Sequence, residues 1–268
     1  IHSKLNYYLS YIRVKKLVGL PSARNIGIRH SRYDYIGFLD DDCIPIRKDL
    51  LLRAYTWLKS RKNEIIGVGG PIYDNSLEYK SKKFKLIDLL NLKKIPEFIQ
   101  SLIYKPNKLS YANTIPGGNC FFRKKIVLEC GGFDPSYDGN YYREESDLCR
   151  KIKKYGRIIS DPCMPVNHLQ VKFGGCRRTF TELYYYIFSN TVLLYLKHKK
   201  ISIEVFLDTL KHLFIFLYIL VSGTNNNSTK IKRTQMIKSF VNGFSNGIYK
   251  YFKKSKDTDI EITEKLEF

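Results

Sequence analysis

Three consecutive carboxylates, Asp40-Asp41-Asp42, close the apolar run Tyr35-Ile36-Gly37-Phe38-Leu39. Negative charge packed so tightly at the end of a β-prone segment is costly unless a cation or several donors offset the lost hydration. Mg²⁺ and Mn²⁺ prefer oxygen ligands and sit between one or two carboxylates and substrate phosphates. A strand ending in acids also delivers them where open α/β sheets bind ligands. Two readings follow from these residues alone: a divalent-metal site for a phosphorylated ligand, or an acidic turn running into Cys43-Ile44-Pro45.

A second acidic cluster is Arg143-Glu144-Glu145-Ser146-Asp147-Leu148. Leu148, Ile152 and Tyr155 keep helical spacing, so the acids occupy a first helical turn, where exposed amides and the helix dipole favour negative charge. They are either a general base kept ionised by that terminus or ordinary first-turn enrichment. The spacing predicts Glu144 and Asp147 on one face, with Glu145 pointing elsewhere. His168 follows a strand predicted at Arg157–Ser160 by way of Pro165-Val166-Asn167. It is either a surface or core histidine or the imidazole that joins carboxylates around Mn²⁺.

Around these groups the pattern alternates helix and strand. A helix opens at Pro21 or Ser22 and runs toward the Asp34 turn, with Leu20, Ile26 and Ile28 on its apolar side and Gly27 permitting close approach to a strand. Tyr35–Leu39 reads as a buried strand. Lys48–Lys59 reads as a helix with Leu50, Leu51, Ala54, Trp57 and Leu58 on one face, and residues 65–70 as another buried strand. Residues 74–110 form a looser, lysine-rich insertion. Arg123–Cys130 is predicted helical, stopped by Gly131-Gly132. Tyr7–Val18 reads as a connector.

Beyond a basic loop at Gly174–Arg178, helices are predicted over Phe180–Lys197 and Ile201–Val221. The apolar run Leu213–Val221 is too short to span a bilayer once Asp208, Lys211 and His212 interrupt it. It is either an interfacial helix on anionic lipid or a buried helix packed on the preceding domain. A linker at Thr224–Ser228 leads to a basic amphipathic helix over Lys230–Lys253, with Phe240, Phe244, Ile248 and Phe252 in register, and the tail from Lys254 reads as disordered. The division is thus 1–178 catalytic, 179–253 helical and 254–268 tail.

The chain has 268 residues and a formal net charge of +21, enough length for a sizeable core and enough charge to attract anions. The lysines are scattered and no dense arginine tract occurs, which discounts nucleic acid as a partner. None of the six cysteines forms a C-x-x-C pair, which argues against a zinc ribbon or a thioredoxin-type site and for reduced thiols in the cytoplasm.

Taken in order, Gly19-Leu20-Pro21-Ser22-Ala23-Arg24-Asn25-Ile26-Gly27-Ile28, Ile36–Asp42, Gly117-Gly118-Asn119, Gly131-Gly132-Phe133-Asp134, Glu144–Leu148 and Pro165–His168 resemble a GT-A glycosyltransferase of the family 2 type. The resemblance implies a Rossmann-like mixed sheet flanked by helices, with a carboxyl-terminal helical appendage. It implies an inverting transfer of sugar from a nucleotide diphosphate sugar to a glycan or lipid-linked acceptor, with Mn²⁺ or Mg²⁺ as cofactor. Asp40 and Asp42 would form the D-x-D metal motif, with Asp42 the direct ligand and His168 on the metal or diphosphate. Asp41 or Asp40 would lie near the nucleoside or sugar, Arg24 and Asn25 on the nucleotide side, and Gly118 and Asn119 along the sugar and acceptor pocket. Glu145 occupies the position of the family's usual aspartate base, with Glu144 and Asp147 as alternates. The family's opening strand is not visible, so the chain is expected to lack its first unit. Competing expectations are a metal-dependent phospho- or nucleotidyltransferase and a basic module for anions or lipid. The carboxyl-terminal helices add a peripheral position on the cytoplasmic face of an anionic membrane.

Overall fold

The computed structural model describes residues 9–60, 64–74, 108–169, 178–198, 200, 202–222, 233–253 and 262–267. In chain order the elements are β1 (Ser10–Val14), α1 (Leu20–His30), β2 (Tyr35–Leu39), β3 (Cys43–Pro45), α2 (Leu50–Ser60), β4 (Ile65–Gly69), β5 (Ile72–Asp74), β6 (Ser110–Ala112) and β7 (Asn119–Arg123). They continue as α3 (Lys124–Glu129), α4 (Glu144–Ile152), β8 (Arg157–Ser160), β9 (Val166–His168), α5 (Phe180–Lys197), α6 (Ile203–Ser222), α7 (Arg233–Lys253) and β10 (Ile262–Glu267).

Five strands form the expected mixed sheet in the order β2-β7-β4-β8-β6, with β4 and β8 parallel and the other neighbours antiparallel. Every residue of β4 and β7 is buried, because helices cover both faces. Phe122 and Ile158 point to one side, where Ile28, Val127, Leu148 and Ile152 from α1, α3 and α4 pack on them. Phe121 and Ile159 point to the other, against Leu50, Ala54 and Leu58 of α2. Adjacent residues on opposite faces is the two-residue period of a strand, and 50, 54, 58 is the helical stripe that meets it.

Several local expectations are corrected. Only Ile36 of β2 is buried, because β2 is the sheet edge among the described residues and is covered on one side by β7. Leu51 is exposed, since it lies about 100° around α2 from the Leu50 stripe. Gly27 faces open space, whereas a Cβ at Gly70, just past the end of β4, would overlap the Met164 carbonyl, so close approach occurs at that glycine and not the helical one. The connector and the tail each contain a strand: β1 and β10 pair antiparallel, from Ser10 opposite Glu267 to Val14 opposite Ile262, since backbone pairing does not require an apolar sequence. The expected insertion (75–107), most of the basic loop (174–177), the linker (224–228) and residues 254–261 of the tail lie outside the described residues.

The helices α5, α6 and α7 share an aromatic core of Tyr184, Phe188, Phe216 and Met236 with Phe240 packed against it. Leu193, Leu194 and Val205 pack around Tyr137, which joins α5 and α6 to the loop ahead of α4. No described helix is long and apolar enough to cross a membrane.

Candidate active site

The acidic turn is folded by its own backbone and then pinned from across the molecule. Cys43 N–H donates to the Asp40 carbonyl at 2.9 Å, which turns the chain from β2 into β3. β3 and β9 pair antiparallel with Cys43 opposite His168, and Leu169 N–H donates to the Asp42 carbonyl at 2.8 Å. That register brings His168 Nε2 to 3.1 Å from Asp42 Oδ1. Asp42, Cys43 and His168 each present a ligand atom, all within 4.8 Å of one another. The carboxylate and imidazole suit Mn²⁺, while the Cys43 thiol is too soft a donor for an oxygen-preferring ion. Asp42 and His168 therefore fit a divalent cation. Asp41 is exposed, and Asp40 turns to Arg24, outside the ligand group.

Arg24 of α1 is the junction of the site. Its guanidinium donates to Glu144 Oε1, to Asp40 Oδ1 at 3.2 Å and to the Gly117 carbonyl at 3.0 Å. Phe38 and Phe133 flank it, with ring centroids 5.5 and 5.2 Å away. Burial works to lower its pKa, but Glu144 and the other acids around it outweigh this and raise it. The glycines at 117 and 118 are what let this cluster close. A Cβ at Gly117 would lie 2.9 Å from Arg24 Nη1, and one at Gly118 would lie 2.5 Å from Asp40 Oδ2. Two acids 104 positions apart in sequence, at 40 and 144, thus meet on one cation.

The second cluster divides into three environments. Glu144 is buried; its Oε1 takes Arg24 while its Oε2 has no hydrogen-bond partner among the described residues. Burial pushes this carboxyl up to about 8, against the pull of Arg24. Glu145 is half-buried, and burial raises it also, opposed by Arg24 and Arg143. Asp147 is fully buried and faces the end of α5, where Lys197 Nζ lies at 2.6 Å and His198 Nε2 at 2.9 Å, while Lys151 Nζ, one turn along α4 itself, lies at 3.1 Å. Burial favours its protonation, but the His198 hydrogen bond and the two lysines overrule it and hold it well below the usual carboxylate range. The expected shared face of Glu144 and Asp147 is therefore corrected. Three residues leave about 60° between the two directions, enough for one to meet α1 and the other α5.

Two other expected pocket residues are committed to the framework. The Asn25 amide donates to the Phe133 carbonyl and accepts from Phe133 N–H, both at 2.8 Å, as a strand neighbour would. Asn119 is fully buried, donates to the Met164 carbonyl at 2.7 Å, and keeps an Oδ1 with no hydrogen-bond partner among the described residues. A groove of about 310 Å³ between β2 and α2, lined by Tyr35, Leu39, Leu51 and Tyr55 among others, holds none of the acids.

A polar network on α6 has no counterpart in the sequence reading. Arg143 is buried with φ of 79°, and Tyr141 has φ of 56°, both in the left-handed region that side chains disfavour. The Arg143 guanidinium holds Asp208 at 3.0 Å and reaches Thr209 at 3.3 Å, and Tyr142 donates its hydroxyl to Asp208. His212, the next turn along, lies edge-on to Tyr142 with centroids 5.3 Å apart, and burial pushes it down to about 4. The signal was present: Glu204, Asp208, Lys211 and His212 recur at helical spacing within an apolar helix, the pattern of a polar stripe facing a partner. Neither Lys197 nor His198 stood out from the basic run that ends α5.

Residues 2–131 match the family model described as glycosyl transferase family 2. No curated protein matches the chain. A solved structure described as GalNAc-T7 with UDP, GalNAc and Mn²⁺ is similar at 15% identity and a TM-score of 0.37, over 78% of this chain and 44% of its own. The chain thus spans less than half the length of that protein. The matched segment, just under half of the chain, carries Arg24, the acidic turn and the Gly117-Gly118 approach.

Proposed function

We propose that this protein is the catalytic part of an inverting glycosyltransferase that moves a sugar from a nucleotide diphosphate to a hydroxyl of a glycan or lipid-linked acceptor. The observation that carries this reading is the Arg24 guanidinium, bonded at once to Asp40 after β2 and to Glu144 at the start of α4. It sets the two acidic clusters on either side of one buried cation, Asp40 inside the matched segment 2–131 and Glu144 beyond it. Asp42 and His168 are the residues that would hold a divalent cation, which supplies neutralisation of the departing diphosphate.

The chain's own residues do the rest. Glu145 receives the acceptor hydroxyl proton: burial raises its proton affinity, and a backbone hydrogen bond, Arg24 and Arg143 oppose that rise. Glu144 positions Arg24, and Arg24 steadies Asp40 beside the backbone of Gly118. Asp147 takes no part in proton transfer; it ties α4 to α5.

The test is a panel of nucleotide sugars, each with Mn²⁺, incubated with the full-length protein and read by thermal stabilisation, followed by product analysis. A rise in Tm for one donor, then sugar on the acceptor and free nucleoside diphosphate, is the expected result. Transfer of a phosphate or nucleotide instead would sink the reading, as would stabilisation that is indifferent to Mn²⁺ and to Asp42→Asn.

A further inference from the structure

The helix α7 has two apolar sides and one of them faces water. Its inner side is built for close packing: a Cβ at Gly243 would lie 2.5 Å from the Tyr185 carbonyl oxygen, and one at Gly247 would lie 2.5 Å from that of Ser189. Met236 is buried there, and Phe240 stacks on Phe216 with centroids 5.3 Å apart. The outer side carries Ile237, Val241, Phe244, Ile248 and Phe252, all exposed, with Phe252 at 78%. Their spacing of four, three, four and four residues keeps them in one stripe along about four turns of helix. A stripe of that length on a helix already anchored by its other side is a binding surface and not scattered exposure.

Charge identifies the occupant. Between Asp208 and Asp257 the sequence has nine Lys and Arg and no Asp or Glu. Arg233, Lys238 and Lys253 are exposed on α7 itself, and Tyr249 and Tyr251 are exposed alongside the stripe. Lys250 is the contrast, because it turns inward to Asp138 and Asn190. A second copy of this chain laid on the stripe would bring cations against cations, with no acid on α7 to relieve them. Nucleic acid would take the cations but leave the phenylalanines and isoleucines in water. An anionic bilayer offers head groups for the lysines, acyl chains for the stripe and an interfacial level for the tyrosines.

We infer that the outer face of α7 docks the protein on an anionic lipid surface, lying in the plane of the interface. This assignment is independent of the transfer chemistry. It also moves the lipid-facing role from α6, whose polar stripe is spent on Arg143 and Tyr142, to α7.

The experiment is co-sedimentation of the full chain with vesicles of phosphatidylcholine plus phosphatidylglycerol and with phosphatidylcholine alone. The expected result is binding to the anionic vesicles at low salt, at least about tenfold stronger than to the neutral ones. Phe244→Glu with Ile248→Glu is expected to weaken that binding by about tenfold or more at unchanged Tm. If the double variant loses Tm, Phe252→Glu at the exposed end of the stripe decides, with a several-fold loss expected. Absence of binding to anionic vesicles overturns the inference, as does binding untouched by these variants. A lipid-free dimer that the same variants dissolve would give the face to a second copy and overturn it equally.

Discussion

The two acidic clusters carry nearly the same charge and are solvated in opposite ways. Asp40-Asp41-Asp42 sits on a turn at the open edge of the sheet, with Asp41 exposed and the Asp40 side chain 42% exposed. Glu144, Glu145 and Asp147 open a helix inside the molecule, where Asp147 has no exposure at all. In water three carboxylates side by side repel weakly and need little; in the interior each must find its own counter-charge. The outer cluster divides as well, but keeps one member in water: Asp40 turns to Arg24, Asp42 has the His168 imidazole beside it, and Asp41 stays exposed. The inner cluster is pulled apart: Glu144 to Arg24, Asp147 to Lys197 and His198, and Glu145 left between them. Burial, more than residue type, sets which acid can face a ligand.

That contrast can be broken in several places. The largest expected effect is at Glu145, where Gln removes the proton acceptor without altering size. Transfer should fall by about 10²–10⁴ in kcat with donor affinity retained, and undiminished turnover would move the base to Glu144. Next is Asp147→Ala, which strands Lys151, Lys197 and His198 around an empty position. A loss of about 3–5 kcal/mol in urea unfolding is expected, against an unchanged midpoint for Asp41→Asn on the exposed turn. If the two variants behaved alike, the division into inner and outer acids would be wrong.

Asp42→Asn sharpens the outer side. The unliganded protein should unfold as the wild type does, but the stabilisation by Mn²⁺, about 2–3 kcal/mol at a hundredfold excess over Kd, should vanish in a calorimetric scan. The smallest effect concerns pH and the α6 network. His212, packed among Lys211, Asp208, Arg143, Tyr142 and Tyr184, has a pKa pushed down from 6.5 to about 4. Its lowered value means that the stability it contributes is complete above 6.5 and is lost as pH falls toward 4. Glu144 works the other way, since its raised carboxyl contributes fully below 4.5 and loses that contribution as pH climbs through about 8. Read as the difference between wild type and His212→Asn, about 2 kcal/mol should disappear between pH 7 and 5. Parallel curves for the two proteins would remove His212 from the network's pH response.

Much of this was legible in one dimension. The strand-turn-acid run at 35–42, the helix opening at Pro21, the Gly131-Gly132 stop and the first-turn acids of α4 all depend on neighbours within a few residues, where backbone sterics and helical period act directly. Asn25 and Asn119 were legible as polar residues beside the site but not as framework, because each spends its amide on a carbonyl 108 or 45 positions away. The β1–β10 pair lay beyond reach for the same reason: its partners are at opposite ends of the chain.

From its own order of residues the chain determined its principal helices, the strands at Tyr35–Leu39 and Ile65–Gly69, and that acids would stand at the end of one strand and the start of one helix. Those outcomes follow from periodicity and local stereochemistry, which need no distant partner. Only the folded chain decided that Arg24 would join Asp40 to Glu144, that His168 would come to Asp42 across a three-residue strand pair, and that Asp147 would be neutralised by α5. Each of those pairings gives a carboxylate a polar partner from another element, and desolvation has no magnitude until the rest of the molecule has closed around it.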